Sequence, residues 1–139
     1  MDVFLESYID VGDLNALKSC AEVLRQFEMP KSAFSLARAL RLKPASLVRS
    51  PAGLQRQLLN SDWRVAPVQY GLPSNPQIFG RLCEAAGVHG IIYPSVRDGT
   101  RQCLALFPQN WVDSASRVQL VGPVPPGVSE SSLGGKAET

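Results

Sequence analysis

The sequence predicts an α+β fold: a single compact domain with a small mixed β-sheet flanked by helices. Three observations carry this expectation. A strand-like stretch, VFLESYIDV at residues 3–11, opens the chain. Stretches of helical period fill the middle, with capping signals at Asp13, Ser50-Pro51 and Asn75-Pro76. Strand-like stretches then cluster between residues 90 and 121. A regular parallel α/β sheet would alternate strand and helix along the whole chain, and this one does not.

Taken in order, residues 3–11 read as one strand. Asp13 caps a helix over 14–27, where Leu14, Leu17, Ala21, Leu24 and Phe27 recur at helical spacing and Met29-Pro30 stops it. Ala33, Leu36, Ala37 and Leu40 predict a second helix over 32–41, and Pro44 starts a short helical turn. Ser50-Pro51 starts the next helix, with Leu54 and Leu58 on its apolar side. Residues 61–74 are irregular, with Pro67, Gly71 and Pro73. Asn75-Pro76 starts a helix with a stripe of Ile78, Phe79, Leu82, Cys83 and Ala86, which Gly87 closes. Strands follow at 91–93, 101–107 and 117–121, the first two joined by an Asp98-Gly99 turn. The domain is expected over 1–121, and the Pro/Gly/Ser-rich tail 122–139 is expected to be disordered.

Composition bounds the function. The chain has 139 residues, 45% hydrophobic and 19% charged, which suits one globular domain with a real core. No apolar run approaches the roughly 18 residues of a membrane span, and the acidic start does not read as a signal peptide, so the expected location is cytoplasmic with no membrane partner. Three widely spaced cysteines and one histidine argue against a disulfide framework or a zinc site, so no metal is expected. The net charge of +2 conceals an asymmetry. Residues 1–30 set six acids against two cations, and residues 31–64 set seven cations against one acid. The simplest expectation is that these segments pack together; a basic middle can also attract phosphate or nucleic acid.

One stretch carries a chemical pattern. It runs Gln77-Ile78-Phe79-Gly80, then Gly87-Val88-His89-Gly90-Ile91-Ile92-Tyr93-Pro94-Ser95-Val96-Arg97, then Leu104-Ala105-Leu106-Phe107-Pro108. This ordered spacing resembles the C-terminal portion of a RES domain. Asp62-Trp63-Arg64 and the stretch at 39–48 extend the similarity, which covers about residues 39–121. The resemblance implies part of an ADP-ribosyltransferase-like fold and a toxin that degrades NAD at the nicotinamide–ribose bond. NAD would be the substrate and no metal would be needed. An Xre-type antitoxin would be the protein partner. Ser95 would be the family's serine and the catalytic position. Arg97, Tyr93 and Gly90 would bind substrate, Arg97 by pairing with phosphate. Tyr93 and Trp63 are aromatics able to stack on a base or on nicotinamide.

The family's arginine and glutamate belong to an N-terminal segment without a counterpart in this reading. Glu6 follows a strand but lacks the surrounding pattern. The domain is therefore expected to be incomplete, weak or inactive as an enzyme, and inclined to form a homo-oligomer through exposed apolar surface. Two other functions compete. Residues 32–51 resemble a helix-turn-helix, with Ala37 at the small-residue position, Lys43, Ser46 and Arg49 available to DNA, and Arg41 where a turn glycine is usual. A non-catalytic interaction module is the other. A serine hydrolase fits poorly, because Tyr93-Pro94-Ser95-Val96-Arg97 is no nucleophile elbow and His89 has no acid placed beside it. His89 alone reads as a loop or core residue.

Overall fold

The opening stretch forms two strands instead of one. β1 (Asp2–Phe4) and β2 (Tyr8–Asp10) belong to different sheets in the computed structural model, which describes residues 1–24, 31–43, 46–60, 71–124, 126–127 and 132–134. The break at residues 5–7 has a physical cause. Glu6 donates its N–H to Ser116 Oγ (3.0 Å) and its carboxylate accepts the Ala115 N–H (2.8 Å). The Ser7 carbonyl accepts the His89 N–H at 3.0 Å. Two distant segments thus satisfy the groups that would have continued one ladder, and the chain steps from one sheet to the other.

Four helices follow: α1 (Leu14–Leu24), α2 (Lys31–Ala39), α3 (Pro51–Asn60) and α4 (Asn75–Ala85). Asp13 caps α1 as expected, accepting the Asn15 N–H on Oδ1 at 2.8 Å. Ser50 does the same for α3, accepting the Gly53 N–H at 3.3 Å. At α4 the cap lies one residue earlier than expected. Ser74 holds that position, and Gln77 Oε1 reaches back to the Ser74 N–H at 2.8 Å, leaving Asn75 as the first helical residue. Gly87, at φ +80°, closes α4 with Gly87 N–H to Glu84 O and Val88 N–H to Cys83 O.

α2 ends in the same bond pattern, but with Arg41 in the left-handed position at φ +55°. Arg41 N–H bonds to Arg38 O and Leu42 N–H to Ala37 O. The competing helix-turn-helix over 32–51 lacks its second helix among the described residues. The described residues between α2 and α3, 40–43 and 46–50, carry no helix, so α2 has no recognition helix at motif spacing. The short helical turn expected from Pro44 is likewise absent at 46–49, while Pro44 itself lies outside the described residues. Trp63 and its neighbours in the Asp62-Trp63-Arg64 triplet also lie outside them.

The remaining strands are β3 (Gly90–Pro94), β4 (Gln102–Leu106), β5 (Arg117–Gln119) and β6 (Ser132–Gly134). The expected small mixed sheet is β2-β3-β4, with β2 parallel and β4 antiparallel to the central β3. A second sheet, β1-β5-β6, is wholly antiparallel. Its β6 lies within residues 122–139, so three residues of the tail expected to lack structure pair in register with β5. Across that sheet Val3, Val118 and Leu133 form one row, and the Arg117 guanidinium lies 5.2 Å from the Phe4 ring centre.

The core forms where α1, α3 and α4 meet the mixed sheet. Leu17 and Leu54 are fully buried, with Val11, Leu24, Phe79 and Ile91 around them. Each such side chain contributes about 1.5–3 kcal/mol on leaving water. Gln55 locks α3 to the β2–α1 turn by donating Nε2 to the carbonyls of Val11 (2.9 Å) and Gly12 (3.0 Å). No helix among the described residues is long and apolar enough to cross a membrane.

Candidate functional site

β3 is the central strand of the mixed sheet, so its side chains project alternately to the two faces. Ile91 and Tyr93 share the face toward the helices and line a cavity of about 290 Å³. Phe79 and Gly80 from α4 form one wall, and Leu58 and Leu59 from α3 form another. Phe107, just after β4, and Val96, beyond the end of β3, border it as well. The lining is strongly apolar. Of the polar side chains there, Gln77 is committed to the α4 cap, which leaves Tyr93 as the hydroxyl at the cavity. Burial, and then the neighbouring Cys103 across the strand pair, push the Tyr93 phenol up, so it is a hydrogen-bond donor at neutral pH.

Ser95 and Arg97 lie at the exit of β3, beside that lining. Ser95 N–H bonds to Arg101 O at 2.8 Å, and its Oγ accepts the Asp98 N–H at 3.2 Å. The hydroxyl hydrogen stays available for a further acceptor. Asp98 organises the turn: it accepts from Thr100 N–H (3.1 Å) and Oγ1 (2.6 Å) and pairs with Arg101 Nε at 3.0 Å. The hydrogen bonds from Thr100 hold its carboxyl below the ordinary aspartate range. Arg97 is exposed and makes no hydrogen bond or ion pair within the described residues.

Gly90 has a different surrounding. It is buried, and a Cβ there would stand 2.7 Å from Leu5 Cδ1 and 3.0 Å from the Ala105 carbonyl oxygen. Close packing between strands accounts for this glycine, and it does not border the cavity. His89 is also structural: it is buried, its Nδ1 lies 2.7 Å from Ser116 Oγ, and its carbonyl accepts Trp111 Nε1–H at 3.0 Å. Glu6 serves the 114–116 segment, as described above. The structure thus gathers Tyr93, Ser95 and Arg97 at one edge and leaves Gly90, His89 and Glu6 to packing.

Gly80 is a cavity residue that sequence reasoning passed over, although it stands in the Gln77-Ile78-Phe79-Gly80 stretch. Pro76, Phe79 and Gly80, at helical i, i+3, i+4 spacing, all border the cavity. A Cβ at Gly80 would meet no neighbouring atom of the described residues within 4 Å. A glycine inside a helix costs about 1 kcal/mol relative to alanine. The signal available in the sequence was this glycine in the midst of a strong apolar stripe.

These elements define a small α+β protein whose mixed sheet ends in a polar turn beside an apolar cavity. The chain belongs to the RES domain family, whose model matches residues 18–126. That match begins well before residue 39 and takes in much of α1 and all of α2. It also brings Glu22 and Glu28 inside the family's bounds; Glu22 is exposed on α1, and Glu28 lies outside the described residues. No curated protein and no solved structure matches the chain.

Proposed function

We propose that this RES domain is a toxin-like NAD-degrading domain, with the cavity and the β3 exit as its substrate site. The observation that carries this reading is the placement of an apolar cavity directly beside Tyr93, Ser95 and Arg97. A volume of about 290 Å³ is at the small end of ligand clefts and suits one ring with part of its sugar. The rest of a dinucleotide would then lie over the β3–β4 turn, where Ser95 Oγ–H donates to a ribose or phosphate oxygen and Arg97 neutralises phosphate.

The reaction breaks the bond between ribose C1′ and the nicotinamide nitrogen. The bonding pair leaves with the ring, which becomes neutral nicotinamide, and positive charge develops on the sugar. A water or phosphate oxygen attacks C1′, and water sheds its proton to solvent. A fixed carboxylate is the natural stabiliser of that sugar cation. Glu22 and Glu28 stand early in the matched span, ahead of the β3 motif, and one of them is our candidate for that role. α1, which carries Glu22, packs on α3, which supplies Leu58 to the cavity, and on β2, which Val11 of the cavity lining directly follows. An Xre-type antitoxin covering the β3 exit would be the expected inhibitor.

The test is NAD depletion by the purified protein, read as release of free nicotinamide. Wild type is expected to consume NAD. Ser95→Ala, and either Glu22→Gln or Glu28→Gln, are expected to lower the rate by 100-fold or more, the typical size of a lost electrostatic contact. Arg97→Ala is expected to raise KM more than it lowers kcat. No nicotinamide release by concentrated wild-type protein would remove the enzymatic reading.

A further inference from the structure

We infer that Gly80 sets the size of the cavity, its missing side chain leaving bare α4 backbone as the wall against which a planar ring of the substrate lies. The inference rests on the cavity being the substrate site. A glycine is required where φ is positive, and Gly80 is not among the positive-φ residues, unlike Gly71 and Gly87. It is required where another atom approaches too closely for a Cβ, as at Gly90 under Leu5, yet at Gly80 that space is open among the described residues. The middle of a helix is also where glycine is least favourable. Among the described residues neither backbone geometry nor packing calls for it, and what its absence of side chain does is keep the cavity wide.

The neighbours give the ligand class. Phe79 stands next to Gly80 on α4, and Tyr93 on β3 and Phe107 just after β4 also line the cavity. Aromatic edges and a flat backbone wall suit a planar heteroaromatic ring of one or two cycles. Adding one carbon at Gly80 narrows that slot, and adding leucine's four carbons fills much of it.

Two variants and two probes test this, by thermal denaturation and by titration calorimetry with NAD and, separately, with indole. Gly80→Ala is expected to raise the melting temperature by about 3 °C, because helix propensity improves with no clash. The same change is expected to weaken binding about tenfold. Gly80→Leu is expected to abolish binding of both probes. Wild-type affinity in Gly80→Leu would overturn the inference. So would a lower melting temperature in Gly80→Ala, which would mean the backbone needs the glycine. If wild type binds indole but not NAD, the NAD reading falls and Gly80 is judged on indole alone. Should Gly80→Leu fail to fold, the alanine variant's opposite shifts in stability and affinity decide.

Discussion

Cys83 shows how one buried group makes stability depend on pH. It lies in the core cluster, and burial pushes its thiol up to about 12, with nearby Cys20 adding to the shift. In the unfolded chain the thiol loses its proton near 9, so between these values the folded protein holds a proton that the unfolded chain has lost. Its contribution is therefore complete below pH 9 and disappears as pH rises toward 12. Denaturant unfolding is expected to show stability falling above pH 9 by up to about 1.4 kcal/mol per pH unit. Cys83→Ala should flatten that slope, at a cost of about 1 kcal/mol at pH 7 for the vacated space. An unchanged slope would assign the effect elsewhere. At this scale the sequence was informative where chemistry is local. Reading the cysteines as thiols and His89 as a packing residue needed only their isolation in the sequence. Gly90 could not be read the same way, because the Leu5 side chain that excludes a Cβ comes from residues far off in the chain.

The elements were legible where a cap or stop lies within four residues of what it caps. Asp13, Ser50 and Gly87 all act so, and all act as the sequence suggested. The capping signal at α4 was misplaced by one residue, since Ser74 and Asn75 are both good caps and only the reach of Gln77 to Ser74 decides between them. The stop of α2 was harder to see. Arg41 takes a left-handed conformation that costs a non-glycine residue about 1–2 kcal/mol, and it does so because its N–H and that of Leu42 satisfy the Arg38 and Ala37 carbonyls. Arg41→Gly is accordingly expected to stabilise the protein by about 0.5–1 kcal/mol, after allowing for the freer unfolded chain. A rise in urea midpoint without a change in slope would confirm it, and a fall would mean that the arginine side chain holds a contact worth more than the strain.

At the scale of the whole molecule, the two sheets are joined by a small polar node. Ser116 Oγ accepts the Glu6 N–H, which lies between β1 and β2, and stands 2.7 Å from His89 Nδ1, just before β3. Trp111, nearly inaccessible, donates to the His89 carbonyl from the segment between β4 and β5. These partners are 22 to 110 residues apart, which is why one strand was expected where the chain makes two. No period or propensity in VFLESYIDV marks residues 5–7 as a crossing; the signal sits more than a hundred residues away. A hydroxyl that serves both sheets should couple them energetically. Ser116→Ala leaves the Glu6 N–H and the His89 ring each without that partner, at an expected cost of about 2–3 kcal/mol. A double-mutant cycle with His89→Ala is expected to give a coupling of about 1–2 kcal/mol. Hydrogen exchange locates the effect more sharply. In wild type the Glu6 and His89 amides should open with the same free energy, as members of one cooperative unit. In Ser116→Ala the Glu6 amide should exchange faster than His89, because the first sheet can then open without the second. Equal exchange at both amides in the variant would show that apolar contact alone holds the sheets together.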